Sequence, residues 1–460
     1  MNTHFLKTAA LRLRSILMAT LCLSSFIFAG PAFSQRAKPD FNGDGYADLV
    51  VGVPNEDLNN ESPNDIPNAG QINVIYGTAA GLDTPNSRTW SQKSPNIGGG
   101  AEPGDNFGYA LATGDFNDDG YTDLAVGVPY ENLPIDGADV VDAGAVNVIY
   151  GSPNGLTAAG NQVWTQTATG AGASNVNDDF GFALSSADFD GDGYADLAIG
   201  VPGETVDGVE KCGLVNVIYG PANGLSSNGS ERWSQNKLGV SGTAEPNDNF
   251  GYSLAAGDFD NDGFSDLAIG VPNEDIPGYN GAGAVNVLYG SAQGLTGDDD
   301  QLLTQDLMPE GDPLIGARFG ATLAAGDFDG NGHDDLAIKT KIPYSFDVDA
   351  VNVLYGGSSG LHIPLILYRQ QLWHQDSDGM VGLVEPNEGF GVALAVGDFN
   401  NDGHDDLACG MPGQVLYLPE GLGLNAGAVH IICGSPALGL HVSYIQTSPR
   451  FFEFATQSSS

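Results

Sequence analysis

The sequence predicts an all-β protein, a β-propeller of four-stranded blades, on three observations. A ten-residue acidic motif occurs six times, beginning at Asp40, Asp115, Asp188, Asp258, Asp327 and Asp398. The copies stand 69–75 residues apart. Each interval repeats the same short β-branched and apolar runs, broken by Gly, Pro, Asn and Asp, as strands joined by tight turns require. One small sheet has no means of covering both its faces, so the units must stack in a ring.

The third repeat shows the order of elements. "FGFALSSADF" is the inner strand, followed by the acidic loop, "DLAIGVP", "GLVNVIYG", and an outer run ending in "RWSQ". The two middle runs are apolar on consecutive positions, as in strands covered on both faces. Phe-Gly pairs open the inner strands at Phe107, Phe180, Phe250, Phe319 and Phe390, and none precedes the first acidic loop. We therefore expect "FFEFATQ" (451–457) to supply the inner strand of blade one, so that both termini close the ring. Six motifs predict six blades, with seven as the alternative. In an up-and-down sheet the acidic 1–2 loops share one face, and the variable 2–3 loops, such as 55–70 and 130–144, lie on the other.

Composition narrows the function. The chain has 460 residues and a net charge of −43, from 58 acidic against 15 basic side chains. That charge repels a phosphate backbone and excludes nucleic acid as a partner, while inviting a cation. Residues 1–34 read as a signal peptide: Lys7, Arg12 and Arg14, then the apolar run 15–30, then small Ala32 and Ser34. That run is shorter than the roughly 20 residues a membrane span needs. Secretion, to the exterior, the cell surface or the periplasm, and a mature propeller over 35–460 are expected. Cys409 and Cys433 fall in neighbouring strands of the last repeat, either as a disulfide or as buried thiols.

The acidic loops carry the chemistry. Positions 1, 3, 5 and 9 are Asp or Asn, position 6 is Gly, and the carbonyl of position 7 adds an oxygen. The loop at 40–48 offers Asp40, Asn42, Asp44, Asp48 and the Tyr46 carbonyl. The loop at 115–123 offers Asp115, Asn117, Asp119, Asp123 and Tyr121; that at 188–196, Asp188, Asp190, Asp192, Asp196 and Tyr194. The loop at 258–266 offers Asp258, Asp260, Asp262, Asp266 and Phe264. Asp327, Asp329, Asn331, Asp335 and His333 follow at 327–335, and Asp398, Asn400, Asp402, Asp406 and His404 at 398–406. An all-oxygen set suits Ca²⁺, about one per loop, at the ~10⁻⁴–10⁻³ M affinity of extracellular modules. An EF-hand is excluded, because its position-12 Glu is replaced by Val51, Val126, Ile199, Ile269, Ile338 or Cys409 and the flanks are strands.

At these residues the sequence resembles the FG-GAP repeat, the blade of the integrin α-subunit N-terminal propeller. "FGYSLAAGDFDNDGFSDLAIGVPNED" (250–275) and "GAVNVLYG" (283–290) carry the whole pattern. The resemblance implies Ca²⁺ in the loops and a ligand, an extracellular protein or glycan, on the opposite face. It implies an adhesion or ligand-binding module. The chain is also similar to the propeller part of glycosylphosphatidylinositol-specific phospholipase D, so a hydrolase or lyase on lipids or polysaccharides is the alternative. Glu56, Asp57, Glu131, Asp136, Glu204, Glu274 and Asp275 are the candidate ligand-face residues.

Other motifs read as structure. "GGSSG" (356–360) matches a nucleophile elbow but aligns with the turns "GSPNG" and "GSAQG" and has no following helix. Asn73, Asn147, Asn216, Asn286 and Asn352 should satisfy buried backbone groups. Trp90, Trp164, Trp233 and Trp373, in "W-x-Q" units, should pack between blades. The rings of His333 and His404 are not expected as ligands.

Overall fold

Each repeat folds into an antiparallel meander in the predicted order. In blade two the strands are Leu111–Gly114, Asp123–Val128, Ala145–Tyr150 and Thr157–Trp164, paired in sequence from the axis outward. Six such sheets make a six-bladed β-propeller in the computed structural model. It describes residues 38–442 apart from 59–64, 136, 222–223, 309–311, 344–346, 363–369, 381–387, 418–422, 426 and 437–438. Among the described residues, blades two to five have four strands and blades one and six have three. The leader at 1–34 and the closing strand expected at 451–457 lie outside the described residues.

The middle strands of blades two to four are buried, as their unbroken apolar runs require: Asp196–Val201 and Ala145–Tyr150 have no exposed position. Those of blade one are half-buried at every second residue. Outer strands such as Ser226–Trp233 are exposed or half-buried along most of their length. The Phe of each Phe-Gly pair is a spacer between blades. Phe107, Phe180, Phe250 and Phe319 are fully buried, each contributing about 1.5–3 kcal/mol by area. They bridge to Gly70, Gly144, Gly213 and Gly283 of the preceding repeat. The inner strands of blades two to six pack side by side in order around the axis.

Two further contacts stitch neighbouring blades. Asn147 and Asn286 of the third strands satisfy backbone carbonyls across the junction: Asn147 Nδ2 donates to that of Gly98 at 2.9 Å, and Asn286 Nδ2 to that of Ser241 at 2.8 Å. Asn352 instead donates to the Gln305 side chain, and Asn73 accepts from Thr89 of its own blade. The tyrosine ending each third strand reaches forward to a Gly-Leu turn in the next blade. The hydroxyls of Tyr76, Tyr219 and Tyr355 accept the N–H of Leu156, Leu295 and Leu440 at 3.2, 3.2 and 3.0 Å. A Cβ on Gly294 would stand 2.1 Å from the Tyr219 hydroxyl, so that turn admits only glycine.

The tryptophans pack as expected, with Trp164, Trp233 and Trp373 in the cores between blades. Ser358 lies in the same bridged turn as Pro153–Gly155 and Ala292–Gly294, not in an elbow. Cys409 and Cys433 are buried thiols. Cys409 opposes His430 while Cys433 bridges to His441, so the two are out of register for a bond.

Candidate metal centres and the opposite face

The acidic loops curl as their spacing dictates. Position 1 accepts the N–H of positions 5 and 6, as Asp188 Oδ1 and Oδ2 do from Asp192 and Gly193 at 3.1 and 2.9 Å. Position 3 also accepts from position 5, and position 5 from position 7: Asp190 from Asp192 at 3.1 Å, Asp192 from Tyr194 at 2.9 Å. These Asx turns hold the side-chain oxygens on the inside of the curl. Carboxylate oxygens of Asp188, Asp190 and Asp196 lie within 4.8 Å of one another, as do those of Asp258, Asp260 and Asp262 and of Asp327, Asp329 and Asp335. The donor set is all oxygen and negatively charged, which fits a hard divalent cation.

Position 9 has a second duty that spacing did not reveal. Each of the six aspartates there accepts one N–H from the loop's Phe and one from the glycine after the third strand. For Asp266 these are Phe259 at 2.8 Å and Gly290 at 2.9 Å; for Asp48, Phe41 and Gly77, both at 2.8 Å. The 1–2 and 3–4 loops are thereby tied on one face of each blade. Burial pushes Asp196 and Asp266 up to about 8 and Asp123 up to about 7, against those two hydrogen bonds. Neighbouring loop carboxylates push in the same direction. A cation near these oxygens would reverse the shift.

Adjacent loops also touch. The N–H of Thr122, Ser265, Asp334 and Asp405 donates to the position-1 carbonyl of the preceding loop at 2.8–3.2 Å. The Phe264 ring covers Gly191, where a Cβ would sit 2.4 Å from it, and the imidazole of His404 covers Gly330 likewise. His333 Nδ1 lies 2.8 Å from Asn331 Oδ1 within its own loop.

The opposite face departs from the expectation. Glu131, Glu204 and Glu274 are not surface groups: they are 6%, 5% and 7% exposed. Each accepts from a glutamine of the W-x-Q units, Gln92 at 2.5 Å and Gln166 and Gln235 at 2.8 Å. Glu56 and Asp57 are half-buried, Asp275 is exposed, and Asp136 lies outside the described residues. Asp57 and Asp275 pin their own loops by accepting from Asn68 and Gly281. What the sequence reading missed is an aromatic arc at the start of the inner strands. The Tyr109, Phe182 and Tyr252 rings follow one another with centroids 4.8 Å apart, Tyr130 adds an edge contact, and Arg318 lies over Tyr252. Its signal was present, because an aromatic residue follows the Phe-Gly pair in repeats two to four.

Comparison with known proteins agrees with this architecture. The FG-GAP repeat family matches residues 37–74, 107–149, 180–213, 250–288, 319–341 and 390–432. Integrin alpha-PS2 of Drosophila melanogaster is 30% identical over 240 residues, 50% of this chain and 15% of that protein. Integrin alpha-5 of Xenopus laevis is 30% identical over 262 residues, 56% of this chain and 21% of its own length. Phosphatidylinositol-glycan-specific phospholipase D of Mus musculus is 35% identical over 162 residues, 35% of this chain and 18% of that protein. The chain thus spans about a fifth or less of the length of these curated relatives. Six matched repeats, each folded as one blade, make this chain an FG-GAP repeat protein whose propeller resembles the N-terminal propeller of integrin α subunits.

Proposed function

We propose that the protein is an exported binding or adhesion module whose propeller is held by calcium on one face and takes an extracellular protein or glycan on the other. The observation that carries this reading is the division of labour between faces. One face repeats the same oxygen-rich loop six times, while the other combines variable loops with the half-buried rings of the Tyr109–Phe182–Tyr252 arc. Flat aromatic rings on the face of the variable loops offer stacking and hydrogen bonding to a sugar or a peptide at low entropic cost. The similarity to integrin α supports adhesion; the part shared with phospholipase D is the repeat region and transfers no reaction. Among the described residues no helix is long and apolar enough to cross a membrane.

Two measurements test the proposal. Binding to a glycan and matrix-protein array in about 1–5 mM calcium, at or above the roughly 10⁻⁴–10⁻³ M affinity of extracellular modules, should be lost when calcium is removed. It should fall when Tyr109 and Tyr252 are changed to Ala. Binding that survives both changes refutes the assignment, and depolymerisation or lipid cleavage by the purified chain would favour the enzymatic alternative.

A further inference from the structure

A second set of acidic groups lies between blades, beneath the face opposite the loops. In blade two Asp105 is fully buried; its Oδ2 accepts the Glu102 N–H at 2.5 Å, and its Oδ1 has no hydrogen-bond partner. The buried Glu131 stands close enough to repel it. Gln92, 6% exposed, is held against Glu131 through Nε2, and its Oε1 is buried without a donor. Exposed Glu102 acts on both carboxylates from outside. Blade four repeats the arrangement with Asp248, Glu274, exposed Glu245 and Gln235, whose Oε1 is likewise buried and unpartnered.

The other blades show what this grouping demands. In blade three, Asp178, Glu204 and Gln166 recur, but Asn175 replaces the outer glutamate and the Arg232 Nη2 stands 3.8 Å from Glu204 Oε1. In blade five both acids are gone together, Ala317 and Pro343 taking their places. Among the described residues, the ion pairs are Arg232–Glu204, Lys237–Glu231 and Lys339–Asp349, none of them at the blade-two or blade-four group. Two buried carboxylates and an amide oxygen without a donor recur in all three of blades two, three and four, Gln166 Oε1 included, but only blades two and four add a third carboxylate at the mouth and have no cationic side chain paired with the group. A charge cluster of that kind is costly unless something positive enters it.

We propose that blades two and four each bind an additional divalent cation of the hard, oxygen-seeking class. The ligands are Asp105, Glu131 and the Gln92 Oε1 in one site and Asp248, Glu274 and the Gln235 Oε1 in the other. Glu102 and Glu245 stand at the entrances. The donor set excludes soft metals. In blade three the Arg232 guanidinium instead brings a positive charge to 3.8 Å from Glu204 Oε1. Without an ion, burial pushes Asp105 up to about 8 and Glu131, Asp248 and Glu274 up to about 7, so cation entry displaces protons.

The test counts bound calcium on the full chain by equilibrium dialysis and elemental mass spectrometry. D105N/D248N should bind two fewer ions than the parent, and its new amides supply the donors that the buried oxygens lack, so the fold is kept. E102Q/E245Q, changed only at exposed positions, should weaken two ions at least threefold. An unchanged count in the folded D105N/D248N protein overturns the proposal. Should that variant not fold, unchanged affinities in E102Q/E245Q overturn it. The difference of two is read whether or not the six loops fill, so it stands or falls apart from the calcium reading of those loops.

Discussion

Replacing Tyr76, Tyr219 and Tyr355 together by Phe tests whether the junctions between blades rest on single hydroxyls. Each ring stays in place; the acceptor for Leu156, Leu295 or Leu440 N–H is removed, and the hydroxyls of Tyr219 and Tyr355 also give up their bonds to Glu231 and to Gln371 Oε1. Those leucines are 2%, 5% and 1% exposed, so water does not replace the lost acceptor. An unpaired buried amide costs about 1–3 kcal/mol, and the lower half applies because the bonds at 3.0–3.2 Å are ordinary in length. The three sites lie in different junctions and share no partner, so their effects add to about 3–6 kcal/mol. Urea unfolding should show a lower midpoint at unchanged slope. Hydrogen exchange should speed at Leu156, Leu295 and Leu440 before it does elsewhere. A triple variant within about 0.5 kcal/mol of the parent, the range of neutral surface changes, would refute the reasoning.

Three further outcomes are expected. With divalent ions removed, the folded chain binds more protons than the unfolded chain between pH 4 and 8, because Asp196 and Asp266 are raised from 3.8 to about 8. Ion-free stability must therefore fall as pH rises through that window, and the melting-temperature gain on adding calcium should be larger at pH 8 than at pH 5; equal gains would contradict this. Asn286→Leu removes the donor to the Ser241 carbonyl and should cost about 1–2 kcal/mol in the urea midpoint. Gly191→Ala should destabilise by more than Gly193→Ala, since both have positive φ but only the first meets the Phe264 ring; thermal melts of the two would decide it.

Much of the architecture was legible because a repeat states its rule six times. The Phe-Gly pairs, the apolar middle strands and the curl of each acidic loop follow from periodicity and from local Asx chemistry, which act over a few residues. The double bond of Asp266 was not legible, because Gly290 is 24 residues away and comes near only when the third strand pairs with the second. Glu131, Glu204 and Glu274 read as surface acids because they sit in polar loops. Their burial depends on glutamines 38–39 residues upstream, in the preceding repeat. A partial signal for it existed within the chain: the fifth repeat loses its Asp and its Glu together, while the sixth keeps an acid, Glu388, opposite Gln414.

The forward-reaching tyrosines also fix where the circle is weakest. Cys433 stands at the sixth tyrosine position, and the Gly-Leu turn of the first repeat is Gly81–Leu82. There Gly81 has open space around it and Leu82 is 37% exposed, against 1–5% for Leu156, Leu225, Leu295, Leu361 and Leu440. Among the described residues the tyrosine clasp is missing at the joint between blades six and one, and that joint should part first under heat or pull.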